Sequence, residues 1–133
     1  MDGPFNILDL DLAENVAESG DAAYSGAYIA NGDEGTAQYF VIPPGKRLGK
    51  HHNSAEETQL VLAGTGRVIL DAGDREVRAG DVFVIRQGEP HDIENTGAED
   101  LRAIGFFAVD RVEHYWTDEV WPGGKVTKSP NLQ

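Results

Sequence analysis

Three of the chain's four histidines, together with a carboxylate, fall in two short segments, His51-His52-Asn53-Ser54-Ala55-Glu56-Glu57 and the stretch that opens at His91. Imidazole nitrogens and carboxylate oxygens are ligands for borderline divalent ions. Two imidazoles and one carboxylate converging on a point make a facial set that leaves the other side of an Fe(II)-like ion open. Both segments read as β-strands, in which alternate side chains share a face. His51, Asn53 and Glu57 therefore have common parity. His52 points the other way unless the strand bulges and turns it inward as a replacement ligand. Glu56, out of parity with Glu57, is read as a surface carboxylate.

Short strands separated by turns must position these groups. Alternating or apolar runs at 25–30, 36–42, 58–63, 66–70, 75–78, 82–85, 91–95 and 101–108 are the candidate strands. Between them stand turn-forming clusters such as Asn31-Gly32-Asp33, Pro43-Pro44-Gly45, Gly64-Thr65-Gly66, Ala79-Gly80-Asp81 and Arg86-Gln87-Gly88. Many short strands at such spacing, with 16 glycines and no long amphipathic helix, predict an all-β sandwich or barrel. Residues 1–23 read as a lead-in packing on the barrel, with one helical turn expected over Ala13–Glu18. The barrel spans 24–110. Residues 111–133 form an aromatic extension, carrying His114-Tyr115-Trp116 and Trp121-Pro122, that is expected to lie across a sheet face or a subunit contact.

Composition narrows the chemistry. The chain has 133 residues, enough for one domain with its own core. It has no cysteine, so disulfides, thiolate ligands and thiol nucleophiles are excluded, and an ion must be held by nitrogen and oxygen. A net charge of −12 argues against nucleic acid and anionic membranes as partners. No signal-like start or membrane-length apolar run is present, so a cytoplasmic protein is expected.

Two spaced patterns extend this reading. Gly45, His51, Glu57 and Gly64 fit G-x5-H-x-H-x3-E-x6-G, with Asn53 at the second histidine. Gly80, Gly88, His91 and Asn95 fit G-x5-P-x-G-x2-H-x3-N, with Arg86 at the proline. In both respects the chain resembles the cupins, which are double-stranded β-helix (jelly-roll) barrels. The resemblance implies that His51, the residue at 53, Glu57 and His91 face the interior and bind one divalent ion (Fe, Mn, Ni or Zn). Asn53 is the departure, since an amide oxygen is a weaker ligand than imidazole. By the same resemblance, Gln38, Gln59 and Phe107 line a substrate pocket, with Arg47 or Arg102 available at its mouth for an anion. The motif glycines are read as turn residues, and Asn95 as satisfying nearby backbone groups. A homodimer is expected, as in many cupins.

Function follows only in outline. A metal-dependent enzyme on a small oxygen-rich organic substrate is expected, of dioxygenase, isomerase or lyase type. Dioxygen chemistry is favoured because no general base stands out apart from Glu57, which is itself a ligand, so the chemistry is left to the ion. The alternative is a cupin that binds a sugar or organic acid without turning it over.

Overall fold

A computed structural model describes residues 3–10, 16–19, 21–117 and 124–129. Among these residues, after a single 3-10 turn at Ile7–Asp9, every regular element is a strand: β1 (Val16–Ser19), β2 (Ala22–Asn31), β3 (Thr36–Ile42), β4 (His51–Asn53), β5 (Glu57–Ala63), β6 (Thr65–Leu70), β7 (Arg75–Arg78), β8 (Val82–Ile85), β9 (His91–Asn95), β10 (Leu101–Phe107), β11 (Val112–Trp116) and β12 (Lys125–Ser129). They form two six-stranded sheets, β1-β2-β3-β10-β5-β8 and β12-β11-β4-β9-β6-β7. All paired strands run antiparallel, and from β3 to β6 the chain changes sheet at every step. This is the jelly-roll that the cupin resemblance implies, and it falls within the all-β class that the turn spacing predicts.

The corners explain the motif glycines. Gly64 carries the chain from β5 in one sheet to β6 in the other with φ of 87°, a conformation costly to other L-residues. A Cβ there would also sit 2.7 Å from the Asp100 carbonyl oxygen. Asn95 behaves as expected. Its amide donates to the carbonyls of Ile42 and Glu99, each at 2.8 Å, and its oxygen accepts from Gly97 N–H at 2.9 Å.

Between the sheets lies an apolar core built from the inward parity of each strand: Phe40 and Ile42 from β3, Val61 from β5, Val68 from β6, Ile85 from β8, Ile93 from β9, Leu101 and Ala103 from β10, and Trp116 from β11. The alternation is visible in β5, where Glu57, Gln59 and Val61 are buried and their neighbours are less so. Apolar inward residues therefore give way to polar ones along a single strand, and that change places the site at one end of the interior.

Two expectations need correction. Val16–Ser19 is a strand paired with β2, not part of a helical turn. Ala and Glu are good helix formers, but propensity is a small term over four residues, and pairing with a ten-residue neighbour outweighs it. Residues 13–15 lie outside the described residues. The aromatic segment after Val109 is also not laid over a sheet. β11 pairs with β4 and with β12, so both strands belong to the second sheet. Trp121 and Pro122 lie outside the described residues.

Candidate metal centre

His51 and His91 face each other across the β4–β9 pairing, with ring centroids 4.3 Å apart, and both are buried. Nδ1 of His51 lies 2.8 Å from the Gly49 carbonyl oxygen, and Nδ1 of His91 lies 2.8 Å from that of Glu89. A carbonyl oxygen only accepts, so in each ring Nδ1 bears the hydrogen. Burial, and for His51 also the neighbouring His91, lowers both pKa values below the ordinary imidazole range. Each ring is therefore neutral, with its lone pair on Nε2. Nε2 of His91 is buried without a hydrogen-bond partner. Trp116 closes one side, its ring 4.2 Å from that of His51.

Glu57 enters from the opposite sheet. Its Oε1 accepts from Gln59 Nε2 at 2.9 Å and, more loosely, from Asn53 Nδ2 at 3.5 Å. The carboxylate occupies the space that a side chain at residue 105 would fill: a Cβ on Gly105 would stand 2.9 Å from the Glu57 carboxyl carbon. Burial raises its pKa to about 7, and the Gln59 hydrogen bond only partly offsets that. Gln59 is itself buried, and its Oε1 lacks a partner. Among the described residues no three His, Asp or Glu side chains stand at ion-holding separation as placed. The structure thus brings the two imidazoles together and sets Glu57 back against β10.

Asn53 faces the interior and is buried, but its Oδ1 is 2.7 Å from Nδ1 of His114. His114 is the residue that reading from sequence placed in an extension. It stands on β11 in register with Asn53, is buried, and meets Ser129 Oγ of β12 with Nε2 at 2.8 Å. Burial lowers its pKa to about 4, with His91 contributing in the same direction. One signal in the sequence could have found it. Val112, His114 and Trp116 share strand parity, apart from Glu113 and Tyr115, and all three are buried.

The other sequence candidates divide cleanly. β4 pairs with β11 without a register shift, so His52 lies on the face opposite His51, stacked on Tyr115 with centroids 4.8 Å apart. Gln38 is opposite Gly105 and half-buried. Phe107 is buried edge-on against His114, at 6.2 Å, and its other side joins Ser54, Glu56 and Gln87 around an open cleft of about 570 Å³. Arg47 is engaged with Asp21 and with the buried Asp92. Arg102 is engaged with Tyr39 Oη and Asp100.

The family model described as "Cupin domain" matches residues 38–107. The chain belongs to the cupin family. Among curated proteins this cupin is 41% identical over 64 residues to the oxalate-binding protein of Thermotoga maritima, covering 47% of its own length and 53% of that relative. It thus spans about half the length of the first curated relatives it matches, the other being an uncharacterised Methanocaldococcus jannaschii protein covered over 52% of its length. Among solved structures, Bacillus subtilis oxalate decarboxylase, described with Mn(II) centres, superposes with a TM-score of 0.61 at 25% identity, over 74% of this cupin and 29% of that chain. The polyketide cyclase RemF of Streptomyces resistomycificus superposes at 0.66 with 20% identity, over 80% of this cupin and 79% of that chain, a likeness of fold. Among the described residues no helix is long and apolar enough to cross a membrane.

Proposed function

We propose that this cupin binds one divalent transition ion (Fe, Mn, Ni or Zn) through His51, His91 and Glu57, and acts on a small oxygen-rich organic acid held at it. The observation that carries the reading is the pair of buried, neutral imidazoles. Both have Nδ1 tied to a backbone carbonyl and Nε2 left as the donor, and that of His91 has no partner. Outer hydrogen bonds of this kind fix ring and tautomer at metal-ligating histidines. The donor set fits a borderline ion, with nitrogen from two rings and oxygen from a carboxylate. Glu57, lodged against Gly105, would complete it, and the ion would replace the proton that burial favours on that carboxylate.

When bound, the ion supplies Lewis acidity and open positions for adjacent oxygens of a substrate. The chain's own groups do the rest. Gln59 steers Glu57 through Nε2 and has a free Oε1 to accept from a substrate hydroxyl or carboxylic acid. Glu57 is the proton acceptor. Trp116 packs its ring on His51 and Phe107 packs on His114, bringing apolar surface to the site. With Arg47 and Arg102 engaged elsewhere, the charge that attracts an anion comes from the ion. The oxalate relatives support a small carboxylic acid as the substrate class.

A second reading, capture of such an acid without turnover, is favoured by the likeness to an oxalate-binding protein. Metal analysis of tag-free protein purified without chelator tests the site. About one ion per chain is expected, and its absence after reconstitution with each candidate metal would reject the reading. Titration of the loaded protein with small mono- and dicarboxylates, followed by assays of acid loss and O₂ uptake, separates turnover from capture.

A further inference from the structure

A line of side chains crosses the second sheet from its edge to the site: Ser129 on β12, His114 on β11 and Asn53 on β4, ending at Glu57 on the facing sheet. The donor at each link can be assigned. Asn53 has two chemically different ends. The one 3.5 Å from the Glu57 carboxylate oxygen is the amide nitrogen, the end a carboxylate attracts. Its oxygen then faces Nδ1 of His114 at 2.7 Å and can only accept, so that ring carries its hydrogen on Nδ1. A neutral imidazole has one N–H. Nε2 of His114 is therefore an acceptor, and the Ser129 hydroxyl, 2.8 Å away, must donate to it.

We propose that His114 is a positioning residue for Asn53. Anchored by Ser129, it takes the Asn53 oxygen and thereby turns the amide N–H toward Glu57. The inference rests on the reading above only in taking Glu57 as the carboxylate of the site. It changes the role of residue 53, which stands where the cupin pattern has a histidine. Asn53 does not offer its oxygen to the ion. It holds one oxygen of Glu57 and leaves the other for coordination. The C-terminal hairpin, outside both family motifs, thus sets how the carboxylate is presented.

The test is ¹⁵N NMR of the histidine rings in the full-length, metal-free protein near neutral pH, with the side-chain amide of Asn53 assigned. His114 is expected as the Nδ1–H tautomer, the minor form of free histidine. An Nε2–H ring would reverse every link and overturn the proposal. Two variants sharpen it. His114→Gln keeps a donor that can reach the Asn53 oxygen and should retain the wild-type Asn53 amide resonances, whereas His114→Ala should shift them. Ser129→Ala removes the donor to Nε2 and should shift that nitrogen's resonance, while the Asn53 oxygen keeps the ring in the Nδ1–H form. Unmoved Asn53 resonances in His114→Ala would also sink the idea. Metal content is measured in the same samples. Wild-type protein that fails to bind metal but shows the Nδ1–H ring rejects the metal reading and keeps this one. Wild-type protein that binds metal with an Nε2–H ring does the reverse.

Discussion

The two ends of the barrel interior are built from the same strands and differ in what those strands turn inward. On β5 the inward face runs Glu57, Gln59, Val61, and on β10 it runs Leu101, Ala103, Gly105, Phe107. On β9, His91 is followed by Ile93. At the apolar end each buried side chain contributes the transfer free energy of its surface, about 1.5–3 kcal/mol for a branched aliphatic or aromatic group. At the polar end the interior holds an unpartnered imidazole nitrogen, an unpartnered amide oxygen and a carboxylate whose burial opposes its charge. Unmade hydrogen bonds of that kind cost about 1–3 kcal/mol each. One end of the barrel holds the fold together and the other is held in place by it.

The widest separation between the two ends comes from one truncation in each. His91→Ala should abolish stoichiometric metal binding and leave the sheets intact, since it removes a ligand but little of the apolar core. Leu101→Ala should lower stability by about 2–5 kcal/mol and leave metal stoichiometry unchanged. Denaturant melts and metal analysis on both variants provide the check. If His91→Ala retains full metal content, the site has been assigned to the wrong residues.

Two glycines repeat the contrast on a smaller scale. A Cβ at Gly66 would stand 2.7 Å from the Glu94 carbonyl oxygen and 2.8 Å from Leu101 Cδ2, so Gly66→Ala should cost about 1–3 kcal/mol through strain at the apolar end. At Gly105 the obstacle is the Glu57 carboxylate, which a side chain can displace. Gly105→Ala should therefore disturb the site more than the fold. A measurable change in metal affinity is expected with a smaller loss of stability than in Gly66→Ala. Equal stability losses with unchanged affinity would show that Glu57 does not need that recess.

The pH dependence of the metal-free protein separates the buried acid from the buried bases. Glu57 keeps its proton in the folded chain to about pH 7, against 4.5 for an ordinary glutamate. Within that window the folded state binds more protons than the unfolded state. The stability this group contributes is full at the acid end and is lost as pH rises through about 7. His114 has the opposite sign. Its pKa falls from 6.5 to about 4, so its contribution is present above 6.5 and lost as pH drops toward 4. Glu57→Gln mimics the neutral acid. It should remove the loss on the alkaline side, raising Tm relative to wild type near pH 8, and leave the acid limb in place. Parallel Tm–pH profiles for the two proteins would contradict the raised pKa.

Much of this arrangement was legible before the structure, for local reasons. Turn residues mark nearly every strand boundary from Thr36 to Phe107, and strand parity puts His51 and Asn53 on one face, whereas Glu57 reaches the interior from β5 in the facing sheet, because the chain changes sheet between 53 and 57. What was not legible depends on pairing between distant segments. β11 meets β4 across some sixty residues, and no local preference in Val112–Trp116 names that partner. Sequence alone therefore places His114 in an extension and does not reveal that the Asn53 oxygen stands 2.7 Å from its ring. The setting back of Glu57 depends on Gly105, on a strand whose register with β5 the sequence does not state.

The smallest expected effect is the cleanest test of parity. His51 and His52 are adjacent and chemically identical, and they differ only in the face they occupy. His51 is buried between His91 and Trp116, whereas His52 is half-buried on the outer face against Tyr115. His52→Ala removes one exposed ring stack, worth about 0.5–1.5 kcal/mol at most. It should leave metal content and affinity unchanged, whereas His51→Ala should remove the ion. Isothermal titration of both variants with Zn²⁺ or Mn²⁺ decides between the faces. Loss of binding in His52→Ala with retention in His51→Ala would mean that β4 turns its other face to the ion, as a bulged strand does. The regular β4–β11 register, with His51 opposite Trp116 and Asn53 opposite His114, gives such a bulge no place.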